Sequence, residues 1–327
     1  MTISLQLGFT DYEQTYAKKK TRRQIFLDEM EATLPWDSLL ALIQPVYYKP
    51  TAKGGRPPFS LEVMLRIHLL QQWFTLSDPL MEEMLIDTPC FRRFARIDMI
   101  EGRIPDETTI LNFRHLLEEH QIAEQIFENV NQNLTEKGVM LKEGTILDAT
   151  IINAPSSTKN KKGERDPEMH SVAKGNQWFF GMRCHIGVDA ASGLVHSVVS
   201  TAANVHELNT AADRVHGEER VIYGDAGHIG IEKRDAFKDC EAEMRIAMKP
   251  GQRRVLPDTP EGRLLDLIET AKAHFRAKVE HPFRIIKCQF GFRKVYYRGI
   301  IKNDLKLKML FALANLWIVR KRCPCVA

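Results

Sequence analysis

The sequence has only six cysteines in 327 residues, and they are scattered: Cys90, Cys184, Cys240, Cys288, Cys323 and Cys325. A disulfide framework belongs to short secreted chains, and a structural zinc site needs two close pairs or a pair with matched histidines. Neither pattern is here, which leaves reduced structural or surface thiols. Long apolar runs are missing too. The longest, about Met309 to Val319, is too short to span a bilayer. The opening MTISLQLGFTDYEQ lacks the charged-then-apolar pattern of a secretory signal. No internal repeat is visible. A soluble cytoplasmic protein is expected.

What is present is an ordinary globular composition, 44% hydrophobic and 27% charged, able to bury a real core. The length suits two domains. Net charge is only +4, yet it is unevenly placed. From Thr270 to Arg322 fourteen Lys or Arg face two carboxylates, Glu280 and Asp304, so the rest of the chain is net negative. Such a surplus is an electrostatic footprint for nucleic acid, although a solvated basic face has the same composition. Inside it lies RAKVEHPFRIIKCQFGFRK, residues 276–294, with six cations and one acid, Glu280. A segment suited to a polyanion has little use for a carboxylate unless that carboxylate serves some chemistry.

Residues 1–20 read as a flexible basic segment ending in KKKTRR. The region 21–140 is helical in pattern. SLEVMLRIHLLQQWF has apolar residues near helical spacing behind Ser60 as N-cap. PDETTILNFRHLLEEH begins with Pro and acids and ends with His, as a helix should. From 141 to 327 the texture is mixed. GTILDATII, RVIYGDAGH and EMRIAMK read as strands, and WFFGMRCHIGVDAASGLVHSVVSTAA as two strands turning at DAASG. HELNTAADRVHG and EKRDAFKDC read as helices. PEGRLLDLIETAKAHFRAKVEHPFRIIKCQF reads as one long helix with Leu264, Ile268, Ala271, Phe275 and Val279 inward. The tract NAPSSTKNKKGERDPEMHSVAKGNQ reads as a mobile basic loop. Strand, hairpin, helix, strand, helix is an α/β core.

Three carboxylates stand out. Asp148 sits inside the apolar strand TILDATII, where an acid is costly unless paired or bound to a cation. Asp225 ends VIYGDAGH, and strand ends are where α/β sheets build sites. Glu280 shares a helix edge with Arg276 and Lys287, all within roughly 40° at about 100° per residue. Beside that edge runs an apolar stripe of Val279, Phe283, Ile286 and Phe290. Pro282 either kinks the helix just past Glu280 or starts a new one there. Taken singly, each acid has a bland explanation as turn former, N-cap or solvated surface group. VHELN is not a metalloprotease helix, because the second histidine is replaced by Thr210.

GTILDATIINAPSSTKNKKGERDPEMH, KGNQWFFGMRCHIGVDAASGLVHS, YGDAGH and RAKVEHPFRIIKCQFGF together resemble the DDE transposases of bacterial insertion sequences, in a branch similar to the insertion sequence five family. The resemblance covers nearly the whole chain, including RRQIFLDEMEATLPW. It implies an RNase H-like catalytic core with a mixed sheet, preceded by an all-helical domain for DNA binding and assembly. It also implies three catalytic, metal-holding acids, Asp148, Asp225 and Glu280. The family's Tyr-Arg-Glu-Lys signature is matched by Arg276, Glu280 and Lys287, which support the site, while its Tyr position is Ala273. Two Mg²⁺ or Mn²⁺ ions per active site are implied. Such ions favour oxygen ligands and work as a pair on phosphodiesters. Asp148 would bridge both, and Asp225 and Glu280 would each hold one. DNA contacts are expected from Lys159, Lys161, Lys162, Arg165, Arg284, Arg293 and Lys294. Trp178 is expected either in the core, the commoner place for a strand aromatic, or as a wedge into unstacked DNA. The partners implied are the element's terminal inverted repeats and target DNA, with a homodimer on DNA and no membrane, in a bacterial cytoplasm near the nucleoid. An RNase H-like nuclease without strand transfer and a non-catalytic transposase-derived regulator remain alternatives.

Overall fold

The computed structural model describes residues 19–48, 57–98, 102–161 and 163–321. They divide into two compact units: the chain through Val130 together with the chain from Leu316 onward, and Asn131–Asn315. The first unit is helical throughout its described residues. It contains α1 (Arg22–Thr33), α2 (Trp36–Ile43), α3 (Leu61–Phe74), α4 (Asp78–Asp87), α5 (Pro89–Phe94), α6 (Glu107–Glu119) and the start of α7 (Ile122–Glu136). The starts of these helices follow from local chemistry. Thr21 and Gln24 form a reciprocal capping box at α1. Ser60, Ser77 and Asp106 accept from the backbone N–H groups of Val63, Leu80 and Thr109. The helices anticipated behind Ser60 and Asp106 are present. α3 is buried from Met64 to Trp73. Its Arg66 is tolerated there because Glu31 (2.8 Å), Glu62 (3.0 Å) and the Phe94 carbonyl (3.0 Å) accept from its guanidinium.

The second unit is built on one six-stranded sheet of β1 (Gly144–Asn153), β2 (His170–Lys174), β3 (Gln177–Asp189), β4 (Val195–Ala202), β5 (Val221–Gly224) and β6 (Glu243–Ile246). The strands run β4–β3–β1–β5–β6 across the sheet, and β2 pairs with the start of β3. β1 and β3 are antiparallel; β1, β5 and β6 are parallel. This is the RNase H-like α/β core that the sequence predicts. On the central strand Ile146, Leu147 and Ile152 are fully buried. Gly193, at a φ of +79°, provides the left-handed residue that the β3–β4 turn needs.

The C-terminal part of this unit holds α8 (Pro250–Arg254), α9 (Pro260–Arg276), a 3₁₀ turn (Ala277–Val279), α10 (Glu280–Arg284), a π turn (Ile285–Gln289) and α11 (Ile300–Val319), whose last residues belong to the first unit. The long helix expected over 260–290 is helical without a gap from Pro260 to Gln289, but it tightens to a 3₁₀ turn before Glu280 and widens to a π turn after Arg284, so that α10 starts at Glu280 itself. Pro282 falls in its first turn, where a missing N–H costs least. The inward stripe expected on α9 is a correction: Leu264 is 59% exposed, and Ile268 and Phe275 are exposed too. The stripe after it, Val279, Phe283, Ile286 and Phe290, is buried as expected. HELNTAADRVHG and EKRDAFKDC are pairs of 3₁₀ turns, not α-helices: Glu207–Thr210 with Ala212–Arg214, and Ile231–Lys233 with Asp235–Phe237. In the first, Thr210 and Arg214 side chains donate to nearby carbonyls and hold the tighter turns. The polar tract is not wholly loop, since β2 lies within it, largely exposed and so without an apolar signature.

Candidate active site

The register of the parallel strands brings the two aspartates together. Ile146 on β1 pairs with Tyr223 on β5. Two residues further along the chain from each come Asp148, still on β1, and Asp225, the first residue past the end of β5, and the charge of Asp225 acts on Asp148. Asp148 accepts from the N–H of Ala149 at 2.8 Å. Burial is the main cause that pushes its carboxyl up from 3.8 to about 6; the charges of Glu207 and Asp225 push the same way, and Arg276 opposes them. Asp225 follows β5 directly and caps the 3₁₀ turn Ala226–His228. Its Oδ1 accepts from Gly227 N–H (3.0 Å) and lies 2.8 Å from His228 Nδ1. Burial raises its pKa, but His228, Arg276 and the Gly227 N–H outweigh that and hold it below the usual carboxylate value.

Arg276, the last residue of α9, acts on both aspartates. Its Nε is buried and donates to nothing among the described residues. Lys287 reaches β1 just past Asp148: Nζ donates to Thr150 Oγ1 at 2.5 Å and to the Ile151 carbonyl at 3.4 Å. Burial lowers its pKa, while the charge of Asp148 is among the groups that oppose this. Glu280 opens α10 one helical turn past Arg276 and is exposed. Among the described residues it makes no hydrogen bond or ion pair to either aspartate. The structure thus brings together Asp148, Asp225, Arg276 and Lys287; Glu280 is exposed four residues past Arg276 and is not among the groups that act on either aspartate.

Three further residues belong to this place and were not singled out from the sequence. Glu207 stands on the turn after β4. It is the largest carboxylate influence on Asp148, and it offers an oxygen within 4.8 Å of ligand atoms of both Asp225 and His228. Glu207 Oε2 is buried and accepts no hydrogen bond. Arg214 is fully buried. Its guanidinium donates to the Asp148 carbonyl (3.3 Å) and the Glu207 carbonyl (2.8 Å), and lies 3.4 Å from His228 Nε2. Burial lowers its pKa to about 10, and Glu207 and Asp148 oppose the shift, so it stays charged at neutral pH. A signal for His228 existed: in GDAGH the histidine is three residues past the aspartate, the return distance of one tight turn. No local pattern ties Glu207 to Asp148, 59 positions earlier in the sequence.

The expected DNA contacts are mostly exposed. Lys159, Lys161, Arg165, Arg284, Arg293 and Lys294 all reach solvent; Lys162 lies outside the described residues. Arg165 donates to the Ser156 carbonyl at 2.9 Å and sits over the Phe180 ring. Val295 N–H donates to Asn153, so Arg293 and Lys294 flank the end of β1. Trp178, at the start of β3, is 76% exposed, which corrects the core-packing alternative. Cys90, Cys184, Cys240 and Cys288 are free thiols; Cys323 and Cys325 lie outside the described residues.

Two family models match the chain. Residues 140–316 match the transposase DDE domain, and residues 14–116 match a transposase domain (DUF772). No solved structure matches it. Among the described residues no helix is long and apolar enough to cross a membrane.

Proposed function

The chain belongs to the transposase DDE domain family, and on that premise we propose that it cuts DNA at the ends of an insertion sequence and joins the freed 3′ hydroxyl to target DNA. The observation that carries this reading is the pair Asp148, on the central strand, and Asp225, just past the end of the parallel neighbour β5, with Arg276 acting on both. The place also fits a divalent cation. Half-buried carboxylates crowd one another there, and Glu207 Oε2 is a buried acceptor without a donor. The donor set is oxygen-rich, which suits Mg²⁺ or Mn²⁺.

In the proposed assignment Asp148, Asp225 and Glu280 hold the ions, Asp148 from the central strand. When bound, such ions ease approach of an anionic oxygen to a phosphate and stabilise the leaving oxygen. The protein's own part is to fix the carboxylates and to receive the phosphate. Arg276 Nε, a buried donor without an acceptor, is suited to a phosphate oxygen. Lys287 holds β1 in position beside Asp148. Lys159, Lys161, Arg165, Arg284, Arg293 and Lys294 would follow the backbone, independently of sequence. Exposed Trp178 would stack on an unpaired base. The helical N-terminal region, 21–140, would recognise the terminal repeats and support a dimer that joins two ends. The lone acid of the basic segment then completes the ligand set inside the surface that grips DNA.

The test is a gel assay of purified protein on labelled DNA carrying the element's ends, with Mg²⁺, Mn²⁺ or EDTA. Metal-dependent 3′ cutting followed by joining is the expected result. Cutting without joining would replace the proposal with a nuclease. Binding without cutting under either metal would replace it with a regulator.

A further inference from the structure

Asp225 is not held by the strand alone. We propose that His228 and Arg214 are positioning residues that fix which oxygen of Asp225 is free to take a cation; the inference rests on the proposed metal-dependent reading of this site. His228 is completely buried. Its two ring nitrogens meet different partners: Nδ1 is 2.8 Å from Asp225 Oδ1, and Nε2 is 3.4 Å from Arg214 Nη2. A guanidinium has donors and no acceptor. The Nε2 contact is therefore a hydrogen bond only if Nε2 accepts, and the ring proton is then on Nδ1. That proton points at Asp225.

The consequence falls on the carboxylate. Oδ1 already accepts from Gly227 N–H at 3.0 Å. With the His228 Nδ1 proton added, both lone pairs of Oδ1 are engaged, and Oδ2 is left as the oxygen that can bind a cation. Arg214 also touches the first acid, its Nη1 donating to the backbone carbonyl of Asp148. One buried guanidinium thus spans the backbone of one aspartate and the imidazole behind the other. Gly224 makes the room: a Cβ there would come within 2.9 Å of the His228 Cβ. Partners of this kind behind a metal ligand usually change affinity by 10–100-fold when removed.

Asparagine and glutamine separate positioning from bulk. The side-chain NH₂ of Asn reaches about where Nδ1 lies, so His228→Asn keeps the donor to Asp225. The NH₂ of Gln reaches about where Nε2 lies, so His228→Gln loses it and turns donors on Arg214. The experiment has two arms. First, ¹⁵N NMR of histidine-labelled, metal-free protein reads the tautomer of the signal that His228→Asn removes; an Nδ1–H ring is expected, and an Nε2–H or doubly protonated ring overturns the proposal. Second, Mn²⁺ binding by electron paramagnetic resonance is compared among wild type, His228→Asn and His228→Gln, each shown folded by circular dichroism. Affinity within about threefold of wild type for Asn, with a loss of about tenfold or more for Gln, is expected. Equal affinities for the two variants overturn it. If wild type itself binds no Mn²⁺ and cuts no DNA, the metal-dependent reading fails, while the NMR arm still decides the tautomer.

Discussion

Asp148 is an acid where little water reaches, with Glu207 and Asp225 close by, and its ionised form is the disfavoured one in the folded protein. Its folded pKa, about 6, lies above the ordinary 3.8. The folded state therefore binds the extra proton between those values, and stability falls as pH rises from about 4 to about 6. Above that window the penalty is fully present. Asp148→Asn is expected to stabilise the metal-free protein by about 1–3 kcal/mol at pH 7.5, and to give no gain at pH 4. Denaturant midpoints at the two pH values check this. Mg²⁺ should reverse the order, because the cation relieves the crowding only in the wild type. The same variant is expected to abolish cutting, which separates a residue kept for chemistry from one kept for stability.

At the scale of elements, the 260–290 segment has an exposed part, α9, and a packed part after Val279. Ile286→Ala, in the buried stripe, is expected to cost about 2–5 kcal/mol. Leu264→Ala, on exposed α9, should stay within about 0.5 kcal/mol. Urea unfolding of both measures the contrast, and equal losses would mean that the α9 face is covered. These two residues also show what the sequence revealed and what it hid. Both sit in helical patterns of apolar residues. Periodicity shows that a stripe exists, not whether anything packs on it. The strands around Asp148 and Asp225 were legible because a central strand must be apolar along its length, and acids interrupt that run. The turns 207–214 and 231–237 were not; in the first, the tightness comes from Thr210 and Arg214 bonding to carbonyls. β2 was hidden because both its faces are wet. Glu207 was hidden because it meets Asp148 only through the sheet.

At the scale of the whole molecule, the basic segment 276–294 and the polar tract after β1 should act as one electrostatic surface. DNA affinity is expected to fall steeply with salt, and Lys294→Ala should lower the slope of log affinity against log salt by about one. Trp178→Ala should leave that slope unchanged. It should weaken binding to DNA with an unpaired base by about 1–3 kcal/mol, as read by fluorescence anisotropy on paired and gapped duplexes. The proposed metal site depends most on its third carboxylate, which sequence assigns to Glu280, while Glu207 is the acid that acts most strongly on Asp148. The deciding measurement is strand cutting by Glu280→Ala and Glu207→Ala beside wild type, with Mg²⁺, in proteins shown to be folded. No cutting by Glu280→Ala and a residual rate for Glu207→Ala are expected. Wild-type cutting by Glu280→Ala, with cutting lost in Glu207→Ala, would contradict the assignment and move the third ligand to the turn after β4.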